Sequence, residues 1–351
     1  MSIVSIERCE DYEVENVYST LKDVIKNSSL PEIKDKTILV KPNILSDAKP
    51  EACVSTHPSV VLSLIRILKE EGAKKILVGD SPGLHAPKFK PKKSEIYKVC
   101  KDEDVEWVNF HDKTTKKKIP FVKRKVPLTK TIDEVDFCIS VAKLKTHELM
   151  ITTGAIKNMF GLVPGLNKSK QHVHNPTRKG FAKFICGLFS ISKTEFAVMD
   201  AIMAMEGAGP GNGTPKKVGL LMASDDALAL DISQAIIMGH NPLDIPIIKY
   251  AIKKRLTNTK KLEDITYSKL NANDLVVKDF KKISTGKETE KRPAPIFLKD
   301  PCIKCKKCID ICPANALSLK NKRIVINEKK CIRCYCCHEV CPANAIKIKQ
   351  K

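Results

Sequence analysis

Nine of the fourteen cysteines of this 351-residue chain lie between Cys302 and Cys341, in two blocks of the same form. The blocks read CIKCKKCIDICP and CIRCYCCHEVCP, and each contains the pattern C-x2-C-x2-C-x3-C-P. The second block follows the first at a constant offset of 29 residues, from Cys302 to Cys331. Cysteines at this density, in a chain whose first residues show no secretory pattern, indicate metal or redox chemistry rather than a disulfide framework.

The spacing within each block is typical of bacterial-type ferredoxins, which hold two iron–sulfur cubes. Three closely spaced thiolates can wrap around one cube, whereas the fourth cannot reach that cube and serves the other one. We therefore expect two 4Fe–4S clusters as cofactors. The first is predicted to be bound by Cys302, Cys305, Cys308 and Cys341, and the second by Cys331, Cys334, Cys337 and Cys312.

Cys336 is a fifth cysteine in the second block, and the residue at the corresponding position of the first block is Lys307. We expect Cys336 not to be a ligand; the alternative is an exchange of roles with its neighbour Cys337. A zinc site is the alternative for the whole region, because C-x2-C pairs also bind zinc. The third cysteine and the repeated Cys-Pro fit zinc poorly.

The segments around the two blocks indicate a small domain. LSLKNKRIVINE is typical of a hairpin with Asn321 and Lys322 at its tip, and AIKIK alternates like another strand. Over residues 296–351 the chain resembles the two-cluster bacterial ferredoxin domain. STGKETEKRPAP, just before it, is charged and aperiodic and contains two prolines, which is typical of a linker. The predicted organisation is an α/β domain at 1–283, a linker at 284–295 and a ferredoxin domain at 296–351.

The first 283 residues alternate between short apolar runs and amphipathic segments. This alternation predicts an α/β fold with a largely parallel sheet and flanking helices, followed by the small C-terminal α+β ferredoxin domain. Strands are predicted at 37–41, 74–80, 105–110, 136–142, 195–200 and 217–224, and helices at 57–72 and 225–239.

Polar and cationic residues follow several of these strands, where ligands bind in open α/β sheets. ITTGAIKNMFG is typical of a helix start with free N–H groups, and MEGAGPGNGTP can offer backbone N–H groups to an anion. The alternatives are a solvated surface for the lysines and a flexible loop for the glycines. The predicted substrate-binding residues are Lys41, Asn43, Asp80, Lys143, Lys157, Asn158, Glu206, Gly207 and Gly209, and the predicted catalytic residues are His147 and Lys145.

Two histidines in KQHVHNP suggest a further metal site. If this segment is extended, His172 and His174 point the same way, and His147 and Glu206 could complete the site. The alternative is an exposed loop. The remaining cysteines are scattered, and Cys138, within a predicted strand, reads as a small core residue.

The formal charge is +22, but it comes from 54 lysines against eight arginines spread along the chain. Because base and phosphate recognition relies on arginine, nucleic acid is not an expected partner. No apolar run approaches 18 residues, so no membrane span is expected. We expect a cytoplasmic protein.

The chain resembles the microbial family known as domain of unknown function 362 in the segments VKPNI, STHPSVV, GAKKILVGDSPG, KLKTHELMITTGAIKNMFG, MEGAGPGNG and ASDDALALD. The resemblance covers residues 1–280, and members of that family often carry an appended ferredoxin module. It implies an iron–sulfur protein without an agreed reaction. A stretch of about 30 residues, THPSVVLSLIRILKEEGAKKILVGDSPGLH, is also similar to the N-terminal domain of lactate racemases. The nickel cofactor of those enzymes is not carried over, because no lysine and histidine set matches.

These features support several functions. In the first, an oxidoreductase, the clusters exchange electrons with an anionic small molecule that Lys143, Lys145 and Lys157 hold, and His147 donates the proton because histidine titrates near neutrality. In the second, an electron carrier or assembly factor, the strand ends dock a partner protein. In the third, a metal-dependent isomerase-like enzyme, the clusters sense redox state. The expected partners are accordingly a redox protein or a small anionic substrate.

Overall fold

The computed structural model describes residues 1–82, 94–284 and 292–348. The strands in these ranges are β1 (Ser2–Arg8), β2 (Thr37–Pro42), β3 (Lys75–Asp80), β4 (Glu106–Asn109), β5 (Thr114–Lys118), β6 (Lys125–Thr129), β7 (Phe137–His147), β8 (Ile151–Thr152), β9 (Thr194–Glu206), β10 (Thr214–Ser224), β11 (Ile265–Lys269), β12 (Pro295–Phe297), β13 (Leu317–Lys320), β14 (Arg323–Ile326) and β15 (Ile346–Ile348). The α-helices are α1 (Val14–Lys26), α2 (Pro58–Glu70), α3 (Glu95–Asp102), α4 (Gly154–Asn158), α5 (Asn167–His174), α6 (Arg178–Phe189), α7 (Ala227–Ile237), α8 (Pro246–Lys254), α9 (Lys307–Asp310) and α10 (Cys336–Glu339).

The large sheet has the strand order β11-β1-β10-β9-β7-β2-β3-β4, with β8 paired beside the end of β7. Strands β4, β3, β2, β7 and β9 run parallel to one another. Strand β10 is antiparallel to both β9 and β1, and β11 returns parallel to β1. The predicted α/β fold with a largely parallel sheet is confirmed. The sheet is mixed, because strand β10 runs antiparallel to both of its neighbours.

Both faces of the sheet are covered by helices, as the near-continuous apolar runs of the central strands require. On one face, Leu21 of α1 and Leu64 of α2 pack with Val40 of β2. On the other face, Phe181 of α6 and Leu228 of α7 belong to a second core. Strand β7 lies between these two cores, and all eleven of its residues are buried.

Strands β7 and β9 are longer than the apolar runs that predicted them. The predicted strand at 136–142 extends to His147, and the strand at 195–200 extends to Glu206. The extension of β7 carries Lys143 and Lys145, and both side chains are buried on either side of the core residue Leu144.

The C-terminal region contains two small antiparallel strand pairs. Strands β13 and β14 form the expected hairpin, and Asn321 and Lys322 at its tip have positive φ values of 45° and 60°. Such left-handed pairs match the twist of two-residue hairpins. Strand β15 pairs with β12, so Pro295, the last residue of the predicted linker, is part of this small sheet. Residues 285–291 of that linker lie outside the described residues, and the domain limits stay predictions.

The C-terminal region packs against the large sheet through a few specific contacts. Tyr335 belongs to the same apolar core as β7 and α6. Asn212 Nδ2 donates to the carbonyl oxygen of His338 at 2.7 Å, and Arg292 Nη2 donates to that of Pro176 at 2.6 Å. Within the described ranges, no helix has the length and apolar character needed to cross a bilayer.

Candidate functional site

The first cysteine set lines a cavity of about 200 Å³ at the surface of the C-terminal region. Cys305 is exposed, and the surrounding side chains include several lysines and Ile303, which is 66% exposed. The cysteines that this cavity brings together are Cys302, Cys305, Cys308 and Cys341.

The second cysteine set lines a separate and less exposed cavity, beside Tyr335. Cys337 in this set is buried. The cysteines brought together here are Cys312, Cys331, Cys334 and Cys337. Each cavity thus takes three cysteines from one block and the last cysteine of the other block.

The backbone repeats the 29-residue offset of the sequence. Lys304 and Lys306 have positive φ values of 55° and 60°, and their counterparts Arg333 and Tyr335 have 53° and 63°. These left-handed residues let each loop curl between its closely spaced cysteines.

The same correspondence holds for hydrogen bonds to sulfur. The N–H of Ala316 donates to Cys312 Sγ at 3.3 Å, and the N–H of Ala345 donates to Cys341 Sγ at 3.3 Å. Such donors favour the thiolate form that an iron–sulfur cluster requires. The two cysteine sets therefore fit 4Fe–4S clusters chemically, and the assignment of individual ligands stays a prediction.

Cys336 lines neither cavity. Its side chain is fully buried in a small apolar cluster with Ile311 and Val340, next to Cys334. Contact with Cys334 and burial raise the pKa of the Cys336 thiol well above its usual value, and burial raises that of Cys337 in the same direction, so the cavity lining and not the pKa separates the two.

A third cavity lies at the carboxyl ends of β2, β3 and β7, where the parallel sheet meets α10 of the C-terminal region; we call it the strand-end cavity. Its volume is about 60 Å³. Its lining combines cationic, amide and aromatic side chains with one carboxylate from the cysteine-bearing helix. The lining residues are Asn43, Ile44, Leu45, Asp80, Ser81, Lys145, His147, Thr153, Lys157, Asn158, Phe160, Gly161, Lys168, His172, Phe181, Pro210 and Glu339.

Lys41 lies behind the cavity and is neutralised by Asp80. Its Nζ is 2.9 Å from Asp80 Oδ1, and both side chains are buried. Asn158 makes two hydrogen bonds to Lys41: its Oδ1 accepts from Lys41 Nζ at 3.2 Å, and its Nδ2 donates to the Lys41 carbonyl oxygen at 2.9 Å. A Cβ at Gly161 would lie 1.9 Å from Asp80 Oδ1, so only glycine fits beside this pair. These residues form the floor of the cavity.

Three other lysines face the cavity without an acidic partner of their own. Lys145 Nζ donates to the carbonyl oxygens of Val54 at 2.5 Å and Pro210 at 3.3 Å. Lys168 Nζ donates to the Ser81 carbonyl. Lys157 Nζ has no hydrogen-bond partner among the described residues. Carbonyl partners hold an ammonium group in place but do not cancel its charge.

Burial makes these three ammonium groups unusually acidic. It lowers the pKa of Lys145 and that of Lys168 to about 7, and the pKa of Lys157 to about 8. Repulsion from Lys157 adds to the effect on Lys145, and repulsion from Lys41 adds to the effect on Lys157. The cavity therefore favours an anion that restores their positive charge.

His147 is a neutral imidazole in this site. Burial, and after it the charge of Lys157, lowers its pKa well below the usual value. Its Nδ1 accepts from the backbone N–H of Leu149 at 3.1 Å, so the ring proton is on Nε2. That Nε2 is 3.6 Å from Glu339 Oε1. The expectation that His147 titrates near neutrality is wrong, because the ring is buried among cationic groups.

Glu339 comes from α10 and reaches into the strand-end cavity. Burial raises the pKa of its carboxyl, and Lys157, Lys145 and Lys168 oppose that shift. The carboxylate of Glu339 is therefore close to all three lysines. In the sequence, Glu339 is two positions after Cys337.

His172 and His174 do not form the expected pair. Residues 167–174 are helix α5 and not an extended segment, and positions two apart on a helix face different directions. His172 is buried, stacks on Phe181 at 4.4 Å and has no partner for Nδ1 among the described residues, whereas His174 is exposed. Within the described ranges, no three His, Cys, Asp or Glu side chains lie close enough together to hold one metal ion.

Lys143 lies apart from the strand-end cavity. Its Nζ is 2.8 Å from Asp200 Oδ2 and donates to Tyr12 Oη at 2.8 Å. The ring of Tyr12 stacks on His57 at 3.6 Å. The charge of Lys143 is therefore satisfied within the fold, and the structure does not bring it to the other lysines.

The glycine-rich segment after β9 does not offer the expected N–H groups. The Gly207 N–H donates to the Lys281 carbonyl, and the Gly209 N–H donates to the Gly207 carbonyl. Glu206 accepts from the Lys281 N–H at 2.8 Å. A Cβ at Gly209 would lie 2.2 Å from the carbonyl oxygen of Thr146. These glycines allow close packing against the end of β7. The expectation that Gly207 and Gly209 offer their N–H groups to an anion is wrong, because both groups already donate to backbone carbonyls.

The start of α4 is also occupied by the chain itself. The N–H groups of Ala155 and Ile156 donate to the two carboxylate oxygens of Asp231 on α7. The free N–H groups predicted for ITTGAIKNMFG therefore bind an internal carboxylate. The segment still matters, because it carries Lys157 and Asn158 to the cavity.

Two charged residues of the cavity, Lys168 and Glu339, were not predicted from the sequence. Lys168 and His172 are four residues apart, and this spacing would have placed both on one face if the segment had been interpreted as a helix. Glu339 has no comparable signal, because only the packing of α10 against the sheet brings it to the strand ends.

Comparison with known proteins gives two family matches. The model of the domain of unknown function 362 matches residues 38–235, and that of a 4Fe–4S dicluster domain matches residues 301–345. A thylakoid-associated protein of Synechocystis sp. is 28% identical over 286 residues, which is 79% of this chain and 87% of that protein.

Among solved structures, the lactate racemase apoprotein from Thermoanaerobacterium thermosaccharolyticum aligns with a TM-score of 0.37 and 12% identity. The alignment covers 65% of this chain and 55% of that one, so this chain spans little more than half of the racemase. A likeness of this size carries no functional inference. The family matches cover both the strand-end residues and the cysteine blocks: this chain belongs to the domain of unknown function 362 family and is an iron–sulfur protein with a C-terminal ferredoxin-type 4Fe–4S domain.

Proposed function

We propose that this protein is a ferredoxin-coupled oxidoreductase that binds two 4Fe–4S clusters and acts on a small anion in the strand-end cavity. The observation that carries the proposal is the shared lining of that cavity. Lys145 comes from the end of β7, Lys157 comes from α4, and Glu339 comes from the helix that also bears Cys337. An anion bound there would lie within one short helix of the second cysteine set.

The cysteine sets supply the redox part of this proposal. Cys302, Cys305, Cys308 and Cys341 would hold the first cluster, and Cys312, Cys331, Cys334 and Cys337 the second. When bound, the clusters would supply or accept single electrons. The first set, with the exposed Cys305, would face a redox partner protein, and the second set, with the buried Cys337, would exchange electrons with the ligand in the cavity.

The side chains of the cavity have distinct roles in this proposal. Lys145, Lys157 and Lys168 would hold the anion. A lysine with a pKa of about 8 is a suitable acid near neutrality, so Lys157 would donate a proton to a reduced ligand. His147 keeps its Nε2 proton and would act as a hydrogen-bond donor that stabilises negative charge on the ligand.

The test begins with anaerobic purification and quantification of iron and sulfide, where two cubes correspond to about eight irons per chain. The dithionite-reduced protein is then mixed with a panel of small anionic metabolites, and reoxidation is followed by absorbance. We expect at least one metabolite to reoxidise the protein with saturation kinetics. Four or fewer irons per chain would contradict the two-cluster assignment.

Variants connect that reaction to the cavity. His147→Leu should slow metabolite-driven reoxidation about 100-fold while the iron content stays unchanged, because one preorganised donor is removed. His174→Leu is the matched control, since His174 is exposed on α5. Equal reoxidation rates for the His147 variant and the control would contradict the placement of the reaction in this cavity.

A further inference from the structure

We propose that the strand-end cavity binds a compact dianion of about four to six non-hydrogen atoms, the class that includes small dicarboxylates and tetrahedral oxyanions. This inference rests on the proposed function of the cavity as an anion site and adds the charge and size of the ligand. Neither quantity follows from the family or from the cysteine blocks.

The charge of the ligand follows from which lysines are already neutralised. Lys41 and Lys143 are paired with Asp80 and Asp200 inside the fold. By contrast, the ammonium groups of Lys145, Lys157 and Lys168 have no ion-pair partner among the described residues.

The acidic groups that line the cavity are Asp80, which is already paired with Lys41, and Glu339, which faces the three ammonium groups. His147 and His172 are neutral because burial lowers the pKa of both rings, that of His172 to about 3. Counted by formal charge, the three lysines and Glu339 leave the lining with two more positive than negative groups, while Lys41 and Asp80 cancel each other. A dianion balances that excess, whereas a monoanion leaves one cation uncompensated.

The three lysines also have enough unused N–H donors to bind the oxygens of a dianion. An ammonium group has three N–H donors, and the described residues accept from two on Lys145, one on Lys168 and none on Lys157. The remaining donors, together with His147 Nε2–H, converge on one cavity from α4, α5 and the end of β7. An oxyanion with three or four oxygens can accept from all of them.

The size of the ligand follows from the volume. A water molecule needs roughly 10–15 Å³ of such space, so a cavity of about 60 Å³ has room for about four to six non-hydrogen atoms. Phe160, Phe181 and the buried Lys41–Asp80 pair limit its expansion. A nucleotide or a flavin is too large to be enclosed in this volume.

The experiment is titration calorimetry on the full chain, purified anaerobically with its iron. The probes are sulfate and oxalate as compact dianions, acetate as a compact monoanion and citrate as a larger polyanion. We expect sulfate or oxalate to bind at least tenfold more tightly than acetate and citrate. Equal or tighter binding of acetate would overturn the charge assignment, and equal or tighter binding of citrate would overturn the size assignment.

Variants locate the binding. Lys157→Gln removes the cation that has no internal partner and should weaken dianion binding at least tenfold. Lys170→Gln, an exposed lysine on α5 beside Lys168, should leave it unchanged. Unchanged affinity in Lys157→Gln, with iron content and circular dichroism preserved, would overturn the proposal.

The two proposals fail in different ways. Tight dianion binding without any metabolite-driven reoxidation would refute the oxidoreductase and keep the ligand class. Reoxidation by a larger or uncharged metabolite, with no dianion binding, would refute the ligand class and keep the oxidoreductase.

Discussion

At the scale of single residues, the buried lysines couple ligand binding to pH. Burial lowers the pKa of Lys145 and Lys168 to about 7 and that of Lys157 to about 8, so all three are charged below pH 6.5 and lose their protons as pH rises through 7 to 8. The other titratable groups facing them are Asp80, which stays paired with Lys41, and His147, His172 and Glu339.

Anion affinity should therefore fall as pH rises. Sulfate stays a dianion across this range, so we expect its dissociation constant to increase at least tenfold between pH 6.5 and pH 9, because the cations that hold it are neutralised. Calorimetry at several pH values measures this change. A dissociation constant that is flat over the same range would contradict the role of these lysines.

Cys336 provides a second test at this scale. Cys336→Ala should leave about eight irons per chain, because the buried thiol lies outside both cysteine cavities, and should reduce the free energy of unfolding by only about 1 kcal/mol. Cys337→Ala is the control, and we expect it to lose about half of the iron. Iron lost from Cys336→Ala and kept by Cys337→Ala would show that the two neighbours exchange roles.

At the scale of single elements, α4 depends on a carboxylate from α7. Asp231→Ala should reduce the free energy of unfolding by about 2–4 kcal/mol, because the buried N–H groups of Ala155 and Ile156 lose their acceptor. Asp231→Asn keeps an acceptor oxygen and should cost less. Urea denaturation measures both. Equal stability of the Ala variant and the unchanged protein would contradict this role.

The elements also show how far the sequence can be interpreted. Strands such as β2 and β3 were predicted because short apolar runs between turn residues specify buried strands, and the cysteine spacing predicted which sets would share a cavity. A His-x-His pair carries no periodic signal of its own, so it does not distinguish an extended α5 segment from a helical one. In the structure the segment is helical, and His172 stacks on Phe181 of the next helix, a contact that the pair itself does not indicate.

The same limit applies to the lysines. Lys41, Lys143, Lys145 and Lys157 look alike in sequence, and all were expected to face a ligand. Whether a lysine is neutralised depends on an aspartate far along the chain, Asp80 for Lys41 and Asp200 for Lys143. Strand position predicted the region of the site, and only the tertiary structure separates the lysines that hold the fold from those that face the cavity.

At the scale of the whole molecule, the two cysteine sets differ in exposure. Cys305 and the neighbouring Ile303 are exposed, whereas Cys337 is buried against the rest of the protein. We expect a chelator in air to remove iron in two phases, with about half lost quickly from the first set. Colorimetric detection of released iron follows both phases.

A variant identifies the fast phase. Cys305→Ala should lack it and keep the slow phase, because it lacks a ligand of the exposed set. Release of all iron in one phase from the unchanged protein would contradict this difference in accessibility.

The position of Glu339 makes the strand-end cavity depend on the maturation of the C-terminal region. One wall of the strand-end cavity is a residue of the loop that would fold around a cluster, so the anion site is complete only in a chain whose C-terminal region has matured. A freshly made apoprotein, or one damaged by oxygen, would lack that wall. Without Glu339 the three lysines would face a more open site with one more uncompensated positive charge, so the charge and size selectivity of the cavity, and not its attraction for anions, would depend on a matured C-terminal region.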